Sequence, residues 1–341
     1  MKIIMAHELT NLVSRIFQSR GVSEEDSQIV AGALVHANLR GVDSHGVMRV
    51  AHYVRRLENG TVNPRPRTRM EQTGPATATL DGDDGLGHPT MQQAMKTAID
   101  LAKGTGIALV GVRNSSHCGA LSFYVSHAIE AGMIGWVMSQ TDAAVVPFGG
   151  RKPFFGTNPL CFGFPSRRGS PVVLDMATST VAGGHIFKAR AENRPIPNTW
   201  GLDVGGRPTT DPHKAVYFTP AGGAKGYGLA AIVDLMTGIL LGGNFGPHVT
   251  LMYGDYDKQR DLCHVAGVID PHRFPGKDSF LDRVTQMVEE IHQVPPAEGF
   301  EKVLAPGEPE YLKELDRKKN GIPLEDYLYD ELHQLQGKSN G

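Results

Sequence analysis

The segment LRGVDSHGVMRVAHYVRRL, Leu39 to Leu57, brings Ser44, His45, Arg49, His52 and Tyr53 within a short stretch of chain. Read as a helix from Asp43, it projects Ser44 or His45, Arg49, and His52 or Tyr53 from one side, because residues three and four apart share a helix face. An arginine there offers a planar fork that grips a carboxylate through two hydrogen bonds. Gly46 would leave room for a ligand or another chain to reach the imidazole of His45. The plainer alternative is a solvated helix face with Ser44 as its cap. A second cluster, RNSSHCGALSFY, directly follows the apolar run IALVGV. His117 then lies at the C-terminal end of a strand and just before a helix, an edge where α/β proteins bind ligands. A histidine there titrates near neutrality and suits general acid/base work, while the helix N-terminus disfavours its cation. The alternative is a capping loop with an incidental histidine. The next strand also ends in polar residues, SQTD, Ser139 to Asp142, which favours one shared site.

A third candidate is GGAKGYGL, where Lys225 stands before a helix starting near Gly226. Unpaired backbone N–H groups and a lysine at a helix start suit a phosphate, although a tight glycine turn would look the same. The order Lys-Gly-Tyr is no Walker motif, and GDDGLG has the wrong spacing for a Rossmann fingerprint, so a nucleotide would have to bind in another way. No G-x-S-x-G elbow points to a hydrolase. His117, Asp142 and Asp175 lack metal-ligand spacing, so no metal is expected. Cys118, Cys161 and Cys263 are odd in number and without CxxC spacing, which suits a reducing cytoplasm rather than a disulfide framework.

These groups need a scaffold, and 341 residues with 40% hydrophobic and 21% charged content allow a sizeable core. The net charge of -2 and the sparse aromatics argue against a nucleic-acid or membrane-surface partner. The N-terminus lacks the long apolar stretch of a signal peptide. The run Leu229–Gly243 is interrupted by Asp234 and is too short to span a bilayer. Leu9, Leu12, Val13, Ile16 and Phe17 recur at helical spacing up to Gly21, and Ser23 caps a second helix with Asp26 at its third position. Prolines in NGTVNPRPRTR end this helical lobe. From Ala76 the texture alternates: ATATLDG a strand, PTMQQAMKTAIDLAKGTG a helix, IALVGVR a strand, LSFYVSHAIEAG a helix, MIGWVMSQ a strand. A loop-rich middle follows, then the strand PVVLDMAT, a helix over Gly226–Gly242, the strand CHVAGVID, the helix SFLDRVTQMVEEIHQV and a charged helical tail from Pro309 with a frayed end. This is an α/β pattern whose local alternation implies parallel strands.

The ordered run RGVDSHGVMRVAHY, GVRNSSHCGA, VVPFGG, FGTNPL, VVLDMAT, IPNTWGLD, GRPTTDP, AKGYGL and LMYGD resembles the malate/L-lactate/L-sulfolactate dehydrogenase family of NAD(P)-dependent 2-hydroxy-acid dehydrogenases, from about residue 5 to 310. Within it, SQTDAAVVPFGG is most similar to the ureidoglycolate dehydrogenase branch, with malate, lactate or sulfolactate enzymes as the alternative. The resemblance implies an α/β fold with α+β tendency, a non-Rossmann dinucleotide fold with an antiparallel-rich central sheet, and a homodimer with its active site near the subunit interface. It implies an N-terminal helical lobe over 1–70 packed with the C-terminal part, a central cofactor-binding domain over 71–225, and a C-terminal α/β part with a helical tail over 226–341. Carried residue by residue, His117 is the proton donor and acceptor, with His45 beside it as a catalytic candidate; Ser44, Arg49 and Tyr53 line the substrate pocket. Thr141, Asp175, Met176, Ala177, Lys225 and Gly226 fall where the family holds NAD or NADP, and Gly307 and Glu308 near its far end. His185 stands where relatives often carry lysine, and Lys188 to Arg194 could meet a 2′-phosphate; NAD is the favoured cofactor. The implied partner is a small 2-hydroxy or 2-oxo acid in the cytoplasm; an inactive dinucleotide-binding relative is the reading from another class. Neutral His117 would serve oxidation, so oxidation should favour higher pH.

Overall fold

The apolar face of the first helix is buried as its spacing requires: Leu9, Leu12, Val13, Ile16 and Phe17 all lie inside. In the computed structural model, which describes residues 1–274 and 277–337, β1 (Lys2–Ile4) precedes α1 (Ala6–Gln18) and α2 (Glu24–Leu39). Ser23 caps α2 reciprocally: its Oγ accepts from the Asp26 N–H at 3.1 Å and donates to Asp26 Oδ2 at 2.9 Å. Beyond α3 (Val50–Glu58) the chain forms β2 (Arg69–Gly74), β3 (Thr77–Asp81), α4 (Gly87–Thr105), β4 (Ile107–Ser115), α5 (Ser122–Glu130) and β5 (Ile134–Ser139). The stretch expected to be loop-rich holds β6 (Leu160–Phe164); the expected strand PVVLDMAT follows as β7 (Val172–Met176), then α6 (Gly183–Ala191) and a small ribbon of β8 (Gly201–Leu202) and β9 (Tyr217–Phe218). α7 (Ala224–Asp234) ends earlier than the expected helix, continuing as a π-helical turn over Leu235–Ile239. β10 (Leu262–Ile269), α8 (Lys277–Gln293) and α9 (Glu308–Asn320) follow, and the tail then contains β11 (Ile322–Leu324) before α10 (Asp326–Gly337). The frayed end expected after that helix lies outside the described residues.

The seven-stranded sheet has the order β2-β3-β4-β10-β5-β6-β7. Only β3 and β4 pair in parallel, across the α4 crossover; every other neighbouring pair is antiparallel. The sequence alternation is correct about direction, since β4 and β5 both run opposite to β10. The expected parallel pairing fails because β10, distant in sequence and buried along almost its whole length, inserts between them. Gly267 permits that insertion: a Cβ there would stand 2.0 Å from the Trp136 ring.

Two cores result. One gathers α1, α2 and α3 with Ile322, Leu324, Leu328 and Leu332 of the tail, closed by the β1–β11 pair. The other packs α4 and α5 against the sheet. Among the described residues no helix is long and apolar enough to cross a membrane.

The segment from Asp43 is not the single helix its spacing suggests. It forms two 3₁₀ turns, Asp43–His45 and Val47–Arg49, before α3 begins. Gly46 interrupts them with φ -89° and ψ -153°, and a Cβ there would lie 2.2 Å from Asn38 Oδ1. Gly46 therefore makes room for Asn38 rather than for a ligand. Asn38 Oδ1 accepts from the Val47 N–H at 2.8 Å, and its Nδ2 donates to Asp43 Oδ1 at 2.7 Å. Arg317 of α9 holds both Asp43 oxygens at 2.8 and 3.2 Å. Asn38→Ala should strand the buried Val47 N–H and destabilise the chain by about 1–3 kcal/mol, seen as a lower urea midpoint; an unchanged midpoint would show that the turn is held by other means.

Candidate active site

Tyr53 of the first large core and His117, next in the chain to Cys118 of the second, meet in a hydrogen bond of 2.6 Å between Tyr53 Oη and His117 Nδ1. The Gly119 N–H also points at Nδ1, at 3.3 Å. The protein thus occupies Nδ1, and Nε2 is the nitrogen left for a reacting group. The His45 ring stacks on His117 with centroids 5.9 Å apart, and its Nδ1 lies 3.0 Å from Ser44 Oγ. Arg49 donates from Nε to Ser44 O at 2.7 Å, and from Nη1 to the Tyr253 hydroxyl. Ser44, His45, Arg49, Tyr53 and His117 therefore converge, although the turn that does it is not one helix face. His52 points the other way, with its Nδ1 3.3 Å from Tyr256 Oη. Gly184 at the start of α6 closes in on Ser44, where a Cβ would stand 3.3 Å from the serine Cβ.

The histidines here are neutral bases. Burial first, then His45, Arg49, His88 and Arg260, holds His117 well below the usual imidazole range. Burial and Arg49 push His45 down to about 4. Burial pushes His88, packed edge-on against Tyr53 at 5.1 Å, down to about 3, and His264 to about 4. Burial likewise raises the Tyr53 hydroxyl, so it stays protonated. The fixed charges are the guanidinium groups of Arg49, Arg56 and Arg260, with Asp142 held by Arg260 at 2.8 Å. A pocket of neutral imidazoles and cationic arginines is suited to a carboxylate.

The expected dinucleotide residues gather along the end of β7. Thr141 Oγ1 accepts from the Thr157 N–H at 2.8 Å, and Thr178 N–H donates to Thr157 O at 2.8 Å. Gly226 abuts this strand end, since a Cβ there would meet Ala221 O at 2.3 Å and Thr178 O at 2.8 Å. Asp175, Met176 and Ala177 lie just before Thr178, and Lys225 is exposed beside them at the start of α7. Desolvation by the surrounding protein raises the Asp175 pKa; the bond it accepts from the Ser122 N–H, at 2.8 Å, opposes that. Ser122 opens α5 just after the His117 loop, so this bond ties that loop to the end of β7. Gly307, at φ +83°, packs on β7 with its would-be Cβ 2.5 Å from Val173 O. The Glu308 side chain is committed to His292 at 2.7 Å and to the Ala305 N–H at 2.9 Å.

Several residues reach this region without a sequence signal of their own. Tyr253 stands in LMYGD, a stretch informative only as a whole, and is more than 200 positions from Arg49. His264 bridges Ser139 Oγ at 2.8 Å and Ser116 O at 3.1 Å beneath the His117 loop. Arg260 is buried, and its charge acts on His52, Tyr53 and His117.

The chain resembles known proteins along almost its whole length. Residues 4–333 match the protein family described as malate/L-lactate dehydrogenase. The chain is 38% identical over 329 residues to the ureidoglycolate dehydrogenase (NAD(+)) of Escherichia coli O157:H7, spanning 96% of this chain and 94% of that one. It is 37% identical to the malate dehydrogenase of Pyrococcus abyssi, over 96% of this chain and 92% of its relative. The solved sulfolactate dehydrogenase of Methanocaldococcus jannaschii superimposes with a TM-score of 0.92 at 36% identity, covering 98% of this chain and 97% of that one. Matched from end to end in sequence and in fold, the chain belongs to the malate/L-lactate dehydrogenase family, a family of 2-hydroxy-acid dehydrogenases.

Proposed function

We propose that this chain moves a hydride between a nicotinamide dinucleotide and C2 of a small 2-hydroxy or 2-oxo carboxylic acid, with ureidoglycolate as the preferred substrate. The observation that carries the chemistry is the convergence of Arg49 and His117 through one set of contacts: Arg49 holds Ser44 O, Ser44 meets His45, and His117 lies against both His45 and Tyr53. Arg49 holds the substrate carboxylate. In the tautomer that donates Nδ1–H to Tyr53 Oη rather than accepting from the Gly119 N–H, His117 Nε2 takes the C2 hydroxyl proton during oxidation and returns one to the carbonyl oxygen during reduction. Tyr53 fixes the imidazole through Nδ1, and Ser44 and His45 wall the pocket. The ureidoglycolate reading is supported by the relative at 38% identity. Malate, lactate or sulfolactate is the alternative, supported by the other relatives. An inactive binding relative is disfavoured by the intact Arg49 and His117.

The residues at the end of β7 fit a dinucleotide. Gly223, the residue before α7, offers no side-chain cap, and exposed Lys225 lies beside it, so free N–H groups and a cation are available to a pyrophosphate. Thr141 and Asp175 supply an acceptor pair suited to ribose hydroxyls, Met176 and Ala177 provide backbone groups, and Gly307 with Glu308 lies at the far end. When bound, the nicotinamide accepts or gives the hydride. This arrangement is a non-Rossmann one. NAD is preferred over NADP because nearby cations are engaged elsewhere: Lys188 and Arg194 with Glu192 at 3.8 and 3.2 Å, and Arg190 with Pro212 O and Ala215 O. His185 turns its ring edge-on to Trp200.

The division into 1–70, 71–225 and 226–341 is retained as part of this reading. So is a homodimer, supported by an exposed apolar row on α7 and the turn after it: Leu229, Ile232, Leu235, Ile239 and Leu240. A cytoplasmic setting is supported by the buried free thiols of Cys118, Cys161 and Cys263.

A panel of 2-hydroxy acids including ureidoglycolate and malate, followed by NADH and NADPH absorbance, tests the reading directly; no turnover of any member with either cofactor would refute it. His117→Ala should lower turnover by roughly 10²–10⁴-fold with dinucleotide binding kept, and near-normal turnover would remove His117 from the chemistry. Because His117 is held below its ordinary pKa near 6.5, the acid limb of kcat/KM for oxidation should fall below pH 6.5, with a flat profile above it. Reduction, which needs the imidazolium, should decline as pH rises through that same lowered value. An acid limb above pH 7 would contradict the burial argument. Arg49→Lys keeps the charge but loses the fork, so kcat/KM should fall by about 1.5–3 kcal/mol for every 2-hydroxy acid; efficiencies within twofold of the parent would return Arg49 to a structural role.

A further inference from the structure

We propose that Tyr253 is a substrate-binding residue whose hydroxyl joins Arg49 in a three-donor clamp on the substrate carboxylate; this rests on the 2-hydroxy-acid reading above. A guanidinium can only donate, so in its contact with Arg49 Nη1 the Tyr253 oxygen accepts. That leaves the hydroxyl proton uncommitted beside a cation suited to an anion. Arg49 Nε is already given to Ser44 O, so a bidentate carboxylate must approach end-on, across Nη1 and Nη2. Nη2 makes no hydrogen bond among the described residues. Each terminal nitrogen carries two N–H groups, so Nη1 can serve Tyr253 with one and the carboxylate with the other. The tyrosine O–H then completes the anion's coordination from the side.

Tyr253 is held for this task rather than left on a free loop. Buried Arg56 on α3 donates to the carbonyls of Leu251, Met252 and Lys258 at 3.0, 2.9 and 3.1 Å, clamping both ends of a strap. Asn59 Nδ2 adds a bond to Tyr256 O at 3.0 Å, and the Arg55 guanidinium covers the Tyr256 ring at 3.7 Å. The Tyr253 ring packs on His52 with centroids 5.2 Å apart. The helix that begins just after Arg49 and carries Tyr53 therefore also fixes the strap that carries Tyr253. A group so placed distinguishes a carboxylate from a neutral C1 substituent, because its donor has value only beside an acceptor that can take a third hydrogen bond.

The test is Tyr253→Phe, which keeps the ring on His52 and removes only the hydroxyl. The clamp requires the KM for the 2-hydroxy acid that the chain turns over best to rise about tenfold or more, with kcat within threefold and dinucleotide affinity unchanged. An unchanged KM would overturn it. So would a lower KM, which would make the hydroxyl a competitor for Arg49. A joint loss of substrate and dinucleotide affinity would also overturn it, by assigning Tyr253 to the scaffold. If the parent chain turns over no 2-hydroxy acid, the proposed function fails and this inference with it; an active parent matched by its Tyr253→Phe variant sinks the clamp alone.

Discussion

The hydrogen bond between Tyr53 Oη and His117 Nδ1 joins the two halves of the molecule. Tyr53 belongs to the core built by the N-terminal helices and the C-terminal tail, and His117 to the loop that follows β4 of the sheet. Neither core by itself contains both the carboxylate-binding fork and the proton carrier. Their docking brings Arg49 and His117 together through Ser44, His45 and Tyr53. Burial at the junction keeps the Tyr53 hydroxyl protonated and its imidazole neighbours neutral.

The same burial divides the electrostatic labour. Five histidines crowd this junction, and desolvation is the leading influence that lowers each of them. Arginine resists such desolvation and keeps its proton. Positive charge therefore sits where the carboxylate is to be held, while the acid/base group remains uncharged until a proton arrives from substrate. His264 and Ser139 support the His117 loop from below without approaching the reacting face.

Support for this geometry comes from distant parts of the chain. Arg317 in α9 reaches back to Asp43, and Arg56 in α3 reaches forward to the strap that bears Tyr253. β10 passes through the middle of the sheet and brings Arg260 just before it to the site. The chain thus closes on itself around the junction.

The sequence by itself determined the local elements. Helical spacing located α1 and α2, the Ser23 cap is as its Ser-x-x-Asp pattern implies, and alternating runs located β4, β5 and β10. Ordered motifs also carried the family, because a long series of them in one order is specific where any single one is not. Tertiary structure decided which strands are neighbours, since the insertion of β10 between β4 and β5 depends on contacts more than a hundred residues apart, such as Gly267 against Trp136. It also decided the shape of the Asp43–Arg49 turn. Helical spacing favoured one continuous helix there, and the Asn38 side chain outweighed it by capturing the Val47 N–H through the space that Gly46 leaves. Tyr253 and Arg260 were illegible as site residues for the same reason: a periodic pattern records which face a side chain takes, but not which distant segment that face will meet.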